Sequence, residues 1–260
     1  MPQASKTRQR FFRNVINRAV PKREMAARQK SIRDHLLLNS ANVHVENFRV
    51  ISPADLGMLF QLTDEFFFAG ELGRFVEANF EKPLSFRLST RMTKAGGTTT
   101  MISNGSRQKD IEFEIAVATT PLFSSFRAGT KQKVGGVNCQ SRLEALQRIM
   151  EHEIIHLVEL IGTGDSNCHA RPFRALVRAY FGHLESNHQL LTPSDIARKR
   201  LGISCGDSVV FNIAGKRHRG VVNRITKRAT VLVEDPSGDE YCDGVNYAKY
   251  YVPLPMLKRA

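Results

Sequence analysis

No stretch of this 260-residue chain approaches the ~18 uninterrupted apolar residues that a membrane-spanning helix needs, so no membrane partner is expected. The N-terminal region lacks the apolar centre of a secretory signal. Four cysteines, Cys139, Cys168, Cys205 and Cys242, are widely spaced and include no C-x-x-C pair. Neither a disulfide framework nor a zinc ribbon is therefore expected, and a reducing compartment is. No acidic residue precedes Glu24, which also fits an organelle transit peptide, the lesser alternative because serine is sparse there. Internal repeats are missing too. The expected location is intracellular, in cytoplasm or with nucleoid or nuclear material.

Positive charge is what the chain has in excess, with a net value of +13. Residues 1–48 carry ten basic against three acidic side chains, residues 49–194 sixteen against fifteen, and residues 195–260 twelve against seven. Two basic flanks around a nearly neutral centre suit attachment to a polyanion, and solvated surface charge is the plainer alternative. Residues 1–48 read as a basic, partly helical arm.

From Pro53 the apolar spacing predicts a helix that stops at Gly70. Alternation predicts strands over 84–89, 91–103 (entered through glycines) and 111–119. A long helix follows from about Ser141 to Ile161, and another begins at Pro172 with Ser166 or Asn167 nearby as caps. Helix, small sheet and two helices make an α+β domain over residues 49–190. Beyond Pro193, β-branched runs separated by turns predict a small all-β barrel over 200–260.

Within the long helix stands "HEIIH", residues 152–156, among Ile, Leu, Val and Met. Buried imidazoles and carboxylates are costly unless partnered. On a helix, residues four apart differ by about 40° and rise ~6 Å, so His152 and His156 can share one ion. Glu153 is turned away from that chelate yet can reach a water beside it, which is the arrangement zinc hydrolysis uses. With eight His and fifteen Glu, roughly one chain in 70 of this composition would carry the pattern by accident. The helical, apolar setting strengthens the metal reading. A third ligand is needed, and His169, beyond the Gly162/Gly164 turn, leads. Asp165 and Cys168 share that loop, the thiolate favouring a structural site. Glu159 lies too far along the axis. His183 and His188 read as surface or packing residues. Tyr180 and Arg171 are near enough to be candidates for oxyanion stabilisation.

These residues resemble the SprT-like (Spartan-type) zinc metallopeptidases. "FFFAGEL" (66–72), "RMTKAGGTTT" (91–100), "HEIIH" and "HARPF" (169–173) occur in that family's order across about residues 50–185. Ala170 stands where the family has glycine, and no cysteine-rich ribbon follows. The resemblance implies a zincin-like fold, one catalytic Zn2+ held by His152, His156 and His169, and Glu153 as the base. "GDSVVF", "GKRHRGVVNRI" and "ATVLVED" resemble SH3-like or KOW-type barrels. The expected function is zinc-dependent peptide-bond hydrolysis of proteins bound to or near nucleic acid, DNA before RNA, held by the arm and barrel. Lys216, Arg217, Arg219, Arg224, Lys227 and Arg228 are the candidate phosphate contacts. The competing expectation is a nucleic-acid-binding or regulatory protein with a structural zinc site.

Overall fold

The computed structural model describes residues 5–18, 20–93, 95–105, 107–126, 132–186, 190 and 192–260; His188 lies outside them. The chain divides into two compact units, residues 1–190 and 191–260, and its class is α+β.

The first unit is organised around α6 (Arg142–Thr163). Ser141 caps it by accepting from the Glu144 N–H, and Gly164 ends it in the left-handed region at φ 81°. Leu146, Ile149, Ile154, Leu157, Val158 and Ile161 are all fully buried, so apolar residues face most directions around the axis. A helix apolar on nearly every side belongs in a core. Around it lie α3 (Pro53–Phe68), α7 (Arg171–Phe181) and a three-stranded sheet of order β1-β3-β2.

In that sheet β3 (Ile111–Ala118) is central. It runs parallel to β1 (Ser85–Ser89) and antiparallel to β2 (Gly97–Ser103), pairing Gly97 with Val117 and Thr99 with Ile115. The second expected strand is thus shorter, starting at Gly97 rather than residue 91. Strand β2 pairs only with β3, which leaves its other edge without a strand among the described residues. Four elements of this unit had no separate expectation: α4 (Glu71–Asn79), α5 (Thr119–Ser125) and the hairpin of β4 (Gln132–Val134) with β5 (Val137–Cys139). Helix α3 stops at Ala69, itself left-handed at φ 55°, one residue before the expected glycine. Asp64 explains why α4 follows at once, since its carboxylate accepts from the Leu72 and Gly73 N–H groups at the new helix start.

The basic segment 1–48 contains α1 (Lys6–Ile16) and α2 (Lys22–Asn39), and both pack into the same core through Phe11, Val15, Ile32 and Leu36. Arg8 is 1% exposed. Its guanidinium donates to the carbonyls of Leu160 (2.7 Å) and Ile161 (2.6 Å), near the C-terminal end of α6. A cation there suits both the carbonyls and the helix dipole. Arg18, Arg28 and Arg33 are also engaged, with Glu71, with Glu24 and the Phe66 carbonyl, and with Gln147.

The second unit holds α8 (Pro193–Leu201) and a five-stranded antiparallel sheet of order β10-β6-β7-β8-β9. Its strands are β6 (Ser208–Ile213), β7 (Lys216–Ile225), β8 (Ala229–Glu240), β9 (Asn246–Val252) and β10 (Lys258–Arg259). Ala214 and Gly215 both take positive φ in the β6–β7 turn, as a two-residue hairpin requires. Ala197, Val209, Phe211, Val222, Val231 and Val252 form a separate core. Among the described residues no helix is long and apolar enough to cross a membrane.

Candidate metal centre

Helix α6 presents His152 and His156 side by side, with their Nε2 atoms 3.1 Å apart. Two nitrogens bound to one tetrahedral zinc through ~2.0–2.1 Å bonds stand roughly 3.3 Å apart, so the observed spacing fits a shared ion. Phe173 of α7 supports both rings, with centroid separations of 4.8 Å to His152 and 4.4 Å to His156. His152 is buried and His156 half-buried.

The tautomer of His156 follows from its neighbours. Ser166 Oγ donates to Glu159 Oε2 at 2.6 Å, and it also meets His156 Nδ1 at 2.7 Å. A hydroxyl has one proton to give, so it accepts from Nδ1–H, and a neutral His156 so held carries its lone pair on Nε2, the atom that faces His152. Burial pushes the Glu159 carboxyl above its ordinary value, against the Ser166 and Asn167 hydrogen bonds. Glu159 therefore serves this chain of contacts and is not itself in the donor set.

Among the described residues, one group of His, Cys, Asp or Glu donors gathers closely enough to hold an ion: His152, His156 and Cys168, with ligand atoms within 4.8 Å of one another. Burial raises the Cys168 thiol above its ordinary value, and proximity to Glu153 and Glu159 adds to this. Coordination to a cation would deprotonate it. His169, the leading third ligand from sequence, is exposed and lines the same cleft, but Cys168 stands in the close group in its place. Asp165 is exposed and outside the group. The donor chemistry, two imidazoles and a sulfur, fits zinc better than magnesium or calcium.

Glu153 borders the same cleft, of about 510 Å³, which Gly97, Thr98 and Thr99 of β2 also line. Thr99 Oγ1 lies 2.8 Å from Glu153 Oε2 and 2.9 Å from the Glu153 carbonyl. The strand comes so close that a Cβ on Gly97 would sit 2.8 Å from Glu153 Oε1. A carboxylate beside a group of metal-ligand donors, held by a sheet edge, can take up and release a proton at a defined place.

The capping expectation for α7 is corrected. Its N-cap is Ala170, without a side-chain bond; Asn167 Oδ1 accepts from His169 N–H instead, and Ser166 is occupied by His156 and Glu159. Tyr180 is corrected as an oxyanion candidate, because its hydroxyl is buried and donates to the Val15 carbonyl at 2.6 Å. Burial pushes that phenol up to about 12. Arg171 is exposed at the start of α7. His183 is a packing residue, buried against Glu151 at 3.0 Å.

In the second unit, Lys216, Arg217, Arg219, Arg224, Lys227 and Arg228 are all exposed. The first two follow the β6–β7 turn and the last two lie in the β7–β8 turn, at opposite ends of β7. They form a stripe along the strand instead of one cluster. Phe211 is buried and stacked on His218 at 5.4 Å, so it offers no exposed face for a base to stack on. The contacts of Thr99 with Glu153 and of Ser166 with His156 and Glu159 leave no local signal in the sequence.

Comparison with family models, with curated proteins and with solved structures found no match for this chain.

Proposed function

We propose that this chain is a zinc-dependent endopeptidase of the SprT-like type, with a zincin-like first unit and an SH3-like second one. The observation that carries this reading is the meeting of His152, His156 and a third loop donor in a cleft that Glu153 also borders. The ordered likeness of "FFFAGEL", "RMTKAGGTTT", "HEIIH" and "HARPF" to that family supports it independently. His152 and His156 would hold the ion with a ligand from Cys168–His169, the resemblance naming His169. When bound, zinc supplies Lewis acidity toward a carbonyl oxygen and makes a water easier to deprotonate.

Glu153 accepts the proton from that water and passes it to the leaving amine, which needs a lone pair neutralised as the peptide bond breaks. Thr99 keeps its carboxylate on the cleft side of β2. The outer edge of β2 offers main-chain groups to an extended peptide, and Gly97 permits close approach. Glu153→Gln should retain zinc and lose cleavage of an unfolded protein substrate. Undiminished cleavage by that variant would overturn the mechanism.

The partner reading rests on the β7 stripe, which matches phosphate contacts that hold nucleic acid, DNA before RNA, beside an intracellular protein substrate. In the N-terminal segment, Lys6, Arg10 and Arg13 are exposed and suited to the same role. The stripe also favours a second reading, a nucleic-acid-binding protein with a structural metal. That reading predicts metal and salt-sensitive binding with no cleavage of any substrate.

A further inference from the structure

Strand pairing decides which side of the second unit's sheet its cations occupy. Directly paired residues share a face, and so do residues two apart along one strand. On that rule Arg217, Arg219 and Val221 of β7 project to one side, away from the core residues Val209, Phe211, Val222 and Val231. The register slips between Val222 and Arg224, and the slip returns Arg224 to the outer side, where it pairs with Thr230 and lines up with Tyr251 beyond it. Lys258 joins this face through Val210, and Lys249 through Leu232. The five cations, all exposed, share it with Val221, 40% exposed, and Tyr251, 62% exposed. Lys249 is held by Asp239 at 2.8 Å. Among the described residues no carboxylate pairs with Arg217, Arg219, Arg224 or Lys258, unlike Arg18 and Arg28 of the first unit. Glu234, exposed two residues beyond Leu232 on β8, sets an acidic limit to the face.

We propose that this outer face binds single-stranded nucleic acid, with Tyr251 stacking on a base and Arg217, Arg219, Arg224 and Lys258 contacting the backbone. This rests on the phosphate-contact reading of the β7 stripe and adds which form of nucleic acid is held. A duplex groove admits a helix or a two-stranded ribbon, not a five-stranded face, so a duplex would meet this sheet with its phosphates. An exposed phenol and an isopropyl group set among the cations would gain nothing from such a contact. A single strand brings both parts at once: charge for the guanidiniums and a flat π-face for the ring, whichever base it carries. Four unpaired like charges on one sheet face also repel one another, and a polyanion removes that repulsion.

The test titrates the full-length protein into three fluorescein-labelled probes and reads anisotropy: an oligodeoxythymidylate of about 12 nucleotides, an oligouridylate of the same length, and a DNA duplex of that length. Either single strand should bind tighter than the duplex, although the duplex carries more phosphates, and the preferred strand tells which sugar the face accepts. Tyr251→Ala should weaken single-strand binding roughly tenfold and leave duplex binding unchanged, while Tyr251→Phe, which keeps the ring, should retain it. The chain has no tryptophan, so Tyr251→Trp places a lone reporter on the face. Its emission should be quenched by the single strand and not by the duplex. Single-strand affinity unchanged in Tyr251→Ala, or a duplex bound as tightly, would overturn the inference while the phosphate reading stands. No binding to any of the three probes would overturn both.

Discussion

Gly97 and Thr99 are small residues whose value lies in what they do to Glu153. A methyl at Gly97 would meet Glu153 Oε1 at 2.8 Å and Cγ at 2.9 Å, so Gly97→Ala must displace the carboxylate. On the proposed peptidase reading, zinc affinity should stay within about twofold while cleavage of an unfolded substrate slows roughly a hundredfold, because a misplacement of ~1 Å costs that much. Thr99→Val removes a hydroxyl donor from the carboxylate of Glu153, a residue only 1% exposed. Urea denaturation should register a loss of about 1–3 kcal/mol, and Thr99→Ser should recover most of it. These contacts were illegible in the sequence, since 54 positions separate Thr99 from Glu153 and no periodicity links them. The histidine pair was legible because four-residue spacing on a helix sets their relation locally.

At the scale of elements, α6 could be read almost whole from its Ser cap, apolar run and terminal glycine. Its partner α1 could not. A segment rich in Lys and Arg looks solvated until its burial against a helix some 150 residues away is known. Arg8 is the clearest case, a basic residue that serves α6 and not a polyanion. Arg8→Ala strips the donor from two α6 carbonyls and should cost about 2–3 kcal/mol in urea denaturation. Arg8→Lys should restore only part of this, since an ammonium lacks the fork that spans both oxygens. Gly162 permits the close approach of α1, for an added Cβ would lie 2.4 Å from Phe12 Cγ. Gly162→Ala should therefore lower the melting temperature, overpacking of about 1–3 kcal/mol outweighing the ~1 kcal/mol gained in helix propensity.

For the whole molecule, the two units have separate cores, so changes on the β7 stripe should leave the first unit's stability untouched. Their effect belongs to association. If the stripe neutralises phosphates, replacing Arg217 and Arg219 by Gln in the full chain should weaken DNA binding uniformly across sequences. The slope of log K against log salt should fall by about 2, one for each guanidinium removed from a phosphate. A slope unchanged by both substitutions would remove the stripe from the interface. The net charge of +13 announced a polyanion partner more loudly than the structure supports, because Arg8, Arg18, Arg28 and Arg33 are engaged within the first unit.

The sequence by itself determined the α+β class, the change to an all-β texture near residue 200, and the adjacency of His152 and His156. Each depends on spacing along a single element, where backbone geometry leaves little freedom. Only the tertiary structure decided where the Glu153 carboxylate rests and that Arg8 is spent on carbonyls. Loop direction and the partners of buried polar groups are set by contacts between distant segments, which one-dimensional spacing does not carry.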